Sequence, residues 1–155
     1  MKNSQTTVIR SNIMRAIRSS NNRSTELRLK GTFVRLGIRG WRVRDKTVFG
    51  VPDFVFPRAR LAVFVDGCFW HGCPKCSLRV PQHNRTYWAT KITRNKSRDR
   101  GVERVLGRQG WTIVRVWEHE LRESPLRCIQ KIVTASGSVG AAEKEDNNSH
   151  GPKQS

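Results

Sequence analysis

Two apolar runs constrain the fold of this chain more than any other feature of its sequence. Residues 61–65 (LAVFV) are apolar without interruption, and residues 111–117 (WTIVRVW) carry one threonine and one arginine among apolar side chains. The first run is typical of a strand that is buried on both faces of a sheet. We therefore expect these two segments to be the strong strands of a central sheet.

Weaker patterns surround these two strands. Trp41 and Val43 alternate with arginines, and FVF at 54–56 follows a Gly-Val-Pro turn, so two short strands are predicted. Helices are predicted over 26–36, over the basic stretch 84–108 and after the Ser124-Pro125 cap. The side chains expected to face inward from the first and last of these helices are Leu27, Phe33, Val34, Leu126, Ile129, Ile132 and Val133. Because strands alternate with helices, the sequence predicts an α/β domain with a central sheet.

The charge of the chain indicates its partner. Thirty Lys and Arg residues stand against twelve Asp and Glu residues, which gives a formal net charge of +18. A small chain this basic is expected to bind a polyanion, and nucleic acid is the default. No apolar run is long enough for a membrane span, and the first twenty residues lack the apolar block of a secretory signal. We therefore expect a cytoplasmic, nucleoid-associated protein with no membrane contact.

Composition divides the chain into three parts. Residues 1–22 are polar and basic, with a small apolar cluster at Ile13, Met14 and Ile17, and are predicted to be an arm that contacts DNA. Residues 23–134 carry the predicted strands and helices and form the expected domain. Residues 135–155 are poor in apolar side chains and rich in small polar residues, so a disordered tail is predicted.

A cysteine cluster predicts a metal site. Cys68, Cys73 and Cys76 follow a C-x4-C-x2-C pattern, and zinc prefers four tetrahedral sulfur or nitrogen ligands. The candidates for the fourth ligand are His71, His83, His119 and Cys128. His119 follows a predicted strand that can end near this loop, whereas Cys128 lies on the apolar side of a helix and is more simply a core residue. The alternative is a set of reduced cysteines without a metal.

Two aspartates mark the ends of neighbouring predicted strands. Asp53 begins one strand and Asp66 ends the next, so both carboxylates can meet at one edge of the sheet and hold Mg²⁺. Glu26 is a possible third carboxylate, and His71 lies close enough in sequence to take a proton from water. The alternative is that these residues are ordinary turn formers and a first-turn helix acid.

Aromatic side chains accompany the predicted metal loop. Phe69 and Trp70 lie in a polar, cysteine-rich segment, and Trp88 lies near the start of the basic helix. Such rings can stack on bases or wedge into a duplex, with Met14 and Ile17 of the arm inserting from the opposite groove. The alternative is a small satellite core over the zinc loop.

Several of these segments together resemble the very-short-patch-repair DNA mismatch endonucleases. The segments that carry the resemblance are SNIMRAIRSSN (11–21), TELRL (25–29), PDF (52–54), VFVDGCFWHGCPKC (63–76), RTYW (85–88), RD (98–99) and VRVWEHEL (114–121). The resemblance implies the fold of type II restriction endonucleases, a mixed central sheet flanked by helices, with a structural zinc loop. It also implies a Mg²⁺-dependent enzyme that nicks one strand of duplex DNA at a T·G mismatch left by deamination of 5-methylcytosine. A monomer is expected to suffice, with a mismatch-repair protein as a further possible partner.

The resemblance also implies roles for individual residues. The resemblance implies catalytic roles for Asp53, His71 and Glu26, and the strand-end argument adds Asp66. The expected Mg²⁺ ligands are Asp53, Val65 through its carbonyl oxygen, and Asp66. The zinc ligands are Cys68, Cys73, Cys76 and His119. The residues expected to contact DNA are Met14, Phe69, Trp70, Trp88, Lys91 and Asn95. Asp66 stands where the family can have histidine, and a carboxylate there can ligate the metal directly.

Two other functions remain compatible with the residues. One is a restriction-like endonuclease that cuts matched DNA. The other is a zinc-braced DNA-binding module without catalysis, which predicts steep salt dependence of binding and no Mg²⁺-dependent product.

Overall fold

The computed structural model of the chain describes residues 25–77 and 79–137. The predicted arm 1–22, with Met14 and Ile17, lies outside the described residues, and so does most of the predicted tail, residues 138–155. No helix in the described part of the chain is long and apolar enough to cross a membrane.

A mixed sheet of four strands forms the centre of the fold. Its strands are β1 (Arg42–Val43), β2 (Phe54–Phe56), β3 (Leu61–Asp66) and β4 (Thr112–Trp117), in this spatial order. β1 and β2 pair antiparallel, as do β2 and β3, whereas β3 and β4 run parallel. The two strong apolar runs are therefore adjacent strands, and β3 is buried along almost its whole length, as its sequence predicts.

One face of the sheet packs against helices from both ends of the described chain. Helix α1 covers residues 25–35, and helices α3 (Glu118–Glu123) and α4 (Pro125–Ala135) follow β4 directly. The core on this face consists of Leu29, Phe33, Phe54, Phe56, Leu61, Val63, Val65, Val114, Val116, Leu121, Cys128, Ile129 and Ile132. The helix pair after β4 closes the parallel side of the sheet.

The sequence assigned some inward faces wrongly. Leu27 and Val34 are 62% and 66% exposed, because α1 turns Leu29 and Phe33, four residues apart, toward the sheet. Leu126, in the first turn of α4, is exposed as well, whereas Ile129 and Ile132 are buried as predicted. Helix α3 is absent from the predicted elements. Its six residues contain only one buried apolar side chain, Leu121, too few to show a helical period.

A single long helix covers the opposite face of the sheet. Helix α2 runs from Arg85 to Arg108 and matches the predicted basic helix. Its last turns contribute Leu106 and Val102 to a second core, against Val48, Val55 and Ala62. The rest of the helix carries eight Lys or Arg residues and two acids, Asp99 and Glu103. This second core therefore anchors only the C-terminal end of α2. The first turns of α2 lie beside the loop that follows β3.

Candidate active site and metal centre

Antiparallel pairing of β2 and β3 brings the first predicted carboxylate beside the end of β3. Asp53 directly precedes β2, and its Oδ2 accepts a hydrogen bond of 2.7 Å from the backbone N–H of Val65. The sequence prediction that the start of one strand meets the end of the next is confirmed at this point. Asp53 is thereby fixed against the β3 backbone at Val65.

Asp53 also faces a carboxylate of helix α1. Burial, the largest cause, together with the nearby Glu26 carboxylate raises the pKa of Asp53 to about 7, although the Val65 N–H and Arg44 oppose the shift. Glu26 in turn accepts two hydrogen bonds from the Arg44 guanidinium, at 2.8 and 3.1 Å. Two neighbouring carboxyl groups, one of them with a pKa raised by burial, offer oxygen ligands to a divalent cation. The pair Asp53 and Glu26 therefore fits Mg²⁺ chemically.

Asp66 lies on the opposite side of β3 and binds an arginine. The residue is 3% exposed, and its two carboxylate oxygens accept hydrogen bonds of 2.8 and 2.6 Å from Nη1 of Arg115 on β4. The partners of Asp53 thus come from α1 and the loop after β1, whereas the partner of Asp66 comes from β4. Among the described residues, only the cysteine cluster brings three or more His, Cys, Asp or Glu ligand atoms within 4.8 Å of one another. Asp53, Asp66 and Glu26 form no group as tight as that.

His71 is held in the loop after β3 by an acid on α2. Its Nδ1 lies 2.6 Å from Oδ2 of Asp99 and 3.6 Å from Oδ1 of Asp66. An Nδ1–H that donates to Asp99 leaves Nε2 with a free lone pair, which is the tautomer that a general base needs. The loop lies close against α2 here, because a Cβ on Gly72 would lie 2.5 Å from Cε of Lys96. His71 is therefore a positioned imidazole beside a buried carboxylate.

Three residues of this site are absent from the predicted set: Asp99, Glu103 and Arg115. The sequence does hold signals for them. Asp99 and Glu103 are the only acids of α2 and lie four residues apart, hence on one face of the helix. Arg115 is the only charged residue of β4. A lone charge in a strand that contributes to a core requires a partner, so Arg115 predicts nearby acids, but the sequence alone does not say which acids they are.

The predicted zinc ligands come together in one buried cluster. The ligand atoms of Cys68, Cys73, Cys76 and His119 all lie within 4.8 Å of one another, with 3.2 Å between Sγ of Cys68 and Nδ1 of His119. Burial raises the pKa of Cys68 to about 12, so a buried thiolate there needs a cation. Three sulfurs and one imidazole nitrogen fit tetrahedral Zn²⁺. This cluster can hold a metal that ties the loop after β3 to helix α3.

The other candidates for the fourth ligand have different environments. Cys128 is buried in the apolar core, and burial raises its pKa to about 11. His71 pairs with Asp99, and His83 is exposed. The interpretation of Cys128 as a core residue is confirmed.

The predicted DNA-contacting rings form a cluster beside His71. The ring centroids of Phe69 and Trp70 are 5.0 Å apart, and both lie within 6 Å of the Trp88 ring, which also contacts Tyr87. All four rings are partly or largely exposed. We refer to Phe69, Trp70, Tyr87 and Trp88 as the ring cluster.

Two polar residues predicted to contact DNA adjoin the ring cluster. Nζ of Lys91 lies 5.9 Å from the Trp70 ring centroid and 5.5 Å from that of Tyr87. Nδ2 of Asn95 donates a hydrogen bond of 3.0 Å to the carbonyl oxygen of Trp70. Contact of these residues with DNA stays a prediction, but helix α2 places them on one surface.

Comparison with known proteins identifies the family. Residues 3–77 match the family model described as DNA mismatch endonuclease Vsr. The chain is 38% identical to the type II nicking enzyme V.XorIIP of Xanthomonas oryzae pv. oryzae, over 72% of this chain and 80% of that protein. It is 37% identical to the DNA mismatch endonuclease Vsr of Escherichia coli, over 73% and 71% of the two chains. A match of 52% identity to V.NaeI of Lentzea aerocolonigenes spans 44% of this chain and 41% of that enzyme. The chain belongs to the Vsr family of DNA mismatch endonucleases.

Proposed function

We propose that this chain is a Mg²⁺-dependent endonuclease that nicks one strand of duplex DNA at T·G mismatches of the kind left by deamination of 5-methylcytosine. One observation carries the proposal: the end of β3 and the loop after it hold Asp53, bonded to the Val65 N–H, the His71–Asp99 pair, and the partly exposed ring cluster. The first two features supply hydrolysis and the third supplies recognition. A monomer suffices to nick one strand, and a mismatch-repair partner stays a prediction.

The residues around β3 divide the chemistry. Asp53 and the Val65 carbonyl oxygen would hold Mg²⁺, which, when bound, polarises the scissile phosphodiester. Nε2 of His71 takes the proton of the attacking water, and the Asp99 carboxylate stabilises the imidazolium that forms. Glu26 orients the water or a second cation. The role of Asp66 as a direct metal ligand stays a prediction. Both its oxygens accept hydrogen bonds from Arg115, and a metal ion would have to share or replace these contacts.

Mismatch recognition rests on the ring cluster and the basic helix. Exposed aromatic side chains stack on unstacked bases, and a mispaired step is cheaper to unstack than a matched one. The arginines and lysines along α2 neutralise phosphates on either side. Binding at a T·G step is therefore favoured over binding at a matched step, because the mispaired bases cost less to unstack and can then stack on the ring cluster.

The central test is nicking of a duplex with one T·G mismatch in the presence of Mg²⁺. His71→Ala protein is expected to nick about 10²- to 10⁴-fold more slowly than the parent, because general-base catalysis contributes on that order. His83→Ala, an exposed histidine of the same loop region, is the matched control and should keep the parental rate.

Other outcomes of this assay contradict the proposal in different ways. Equal cleavage of a T·A duplex would favour the restriction-like enzyme that cuts matched DNA. Tight, salt-sensitive binding without any Mg²⁺-dependent product would favour the non-catalytic zinc-braced module.

A second test addresses recognition. Trp70→Leu is expected to lower kcat/KM on the T·G duplex by about 5- to 150-fold, because stacking contributes roughly 1–3 kcal/mol per base. Phe49→Leu, an exposed ring away from this cluster, should leave kcat/KM unchanged. If Trp70→Leu retains the parental rate and mismatch preference, the ring cluster is only a satellite core over the metal loop.

A further inference from the structure

The Arg115 side chain of β4 connects this strand to β3 and to helix α2, close to His71. Arg115 lies on β4 directly opposite Phe64 of β3, and its guanidinium carbon is 5.0 Å from the Phe64 ring centroid. Its side chain is 17% exposed, so the charge is largely removed from water. A largely buried guanidinium requires compensating carboxylates.

Three carboxylates surround the Arg115 guanidinium. Nη1 donates to Asp66 of β3, Nε donates to Glu103 of α2 at 2.6 Å, and Nη2 lies 3.6 Å from Asp99 of α2. The planar guanidinium presents all these nitrogens in a fixed geometry, which a lysine ammonium cannot reproduce. Each nitrogen of the head group thus faces a different acid.

Two of these carboxylates compete for the same imidazole proton. Nδ1 of His71 lies 2.6 Å from Asp99 and 3.6 Å from Asp66. Asp66 is the more deeply buried of the two acids, so without Arg115 it would be an unpaired buried charge with His71 as its nearest donor. The imidazole would then turn from Asp99 toward Asp66.

We propose that Arg115 is a positioning residue for the nicking reaction. By binding both oxygens of Asp66, it reserves the His71 Nδ1–H for Asp99 and fixes the direction of Nε2. This inference rests on the proposed role of His71 as the base. Buried ion pairs are weak sources of stability, and an apolar residue at position 115 would pack at least as well. A positioning role explains why an arginine with three acidic neighbours stands there instead.

The nicking test compares Arg115→Met, Arg115→Lys and the double variant Asp66→Leu/Arg115→Met, as full-length, zinc-loaded proteins. Arg115→Met is expected to lower kcat roughly 100-fold at saturating DNA and Mg²⁺, because a small misplacement of a reacting group costs about that much. KM should change little. Arg115→Lys should recover only part of the rate, and the double variant should nick at least ~10-fold faster than Arg115→Met, because the competing acceptor is gone.

A second measurement reads the imidazole itself. Long-range ¹H–¹⁵N NMR spectra of the four histidines, with His71 assigned by its loss in His71→Ala, report which ring nitrogen carries the proton. The parent should show the Nδ1–H tautomer with a strongly downfield proton from the short contact with Asp99. Arg115→Met should lose that downfield signal, whereas the control Arg122→Met, an exposed arginine of α3, should keep it.

The outcomes separate this inference from the proposed function. The positioning role is overturned if the His71 NMR signal is unchanged in Arg115→Met. It is also overturned if the fall in kcat is no larger than the fraction of unfolded Arg115→Met protein accounts for. A double variant that is no faster than Arg115→Met and needs more Mg²⁺ would make Asp66 a metal ligand instead. If the parent fails to nick T·G duplexes, the proposed function fails, and the NMR comparison still decides whether Arg115 directs His71.

Discussion

Asp53→Asn protein is expected to lose Mg²⁺-dependent nicking and, at pH 8, to resist unfolding better than the parent chain. The loss of activity follows from the proposed role of Asp53 as a metal ligand. A bound metal contributes several kcal/mol to catalysis, so the rate on a T·G duplex should fall on the order of 10³-fold. A parental rate in this variant would remove Asp53 from the mechanism.

The gain in stability follows from the raised pKa of Asp53. Its pKa rises from 3.8 to about 7 in the folded chain, chiefly because the carboxyl is buried. Between these two values the folded state binds a proton that the unfolded state releases, so the free energy of unfolding falls as pH rises through this window. The fall amounts to at most ~4 kcal/mol, since each pKa unit corresponds to about 1.36 kcal/mol. Asparagine does not ionise, so Asp53→Asn removes this fall in the free energy of unfolding.

Urea unfolding of both proteins without added Mg²⁺ measures this effect. The two proteins should be similar below about pH 3, where Asp53 is protonated in both the folded and the unfolded state, and should diverge up to about pH 7. Asp45→Asn is a control from the same connection, because hydrogen bonds from Thr47 lower the pKa of Asp45 and its contribution has the opposite sign. A stability difference that does not change with pH would show that Asp53 is ionised throughout in solution.

Cys73→Ser protein is expected to lose bound zinc and with it the ordered loop after β3. Structural zinc binds with roughly 10–16 kcal/mol in small domains, a value comparable to the whole stability of a typical domain. We therefore expect the melting temperature to fall by at least ~10 °C. Nicking should fall with it, because His71 lies within the loop that the cluster closes.

Metal analysis and thermal unfolding test this expectation together. The parent should carry one zinc per chain, and Cys73→Ser less than one. Cys128→Ala is the matched control, because it removes a buried cysteine of the apolar core and should retain the full zinc content. If the parent without zinc melts at the same temperature as the zinc-loaded protein, the cluster is a set of reduced cysteines and a histidine rather than a metal centre.

Local patterns in the sequence were sufficient for the elements that carry a continuous signal. The apolar runs at 61–65 and 111–117 became β3 and β4, and the basic stretch became α2. The metal cluster was accessible because three of its four members lie within nine residues of one another. Helix faces were less certain: Leu27 and Val34 follow an apolar period as well as Leu29 and Phe33 do, and only packing against the sheet decided between them.

The sequence by itself determined the α/β class, the two strong strands, the cysteine cluster and the polyanionic partner, because each depends on composition or on neighbours along the chain. Only the tertiary structure decided which charges face each other. Asp66 and Arg115 are 49 residues apart, and they meet because β3 and β4 pair parallel in one particular register. A shift by one residue would turn Arg115 to the other face of the sheet, and no local pattern in the sequence specifies that register.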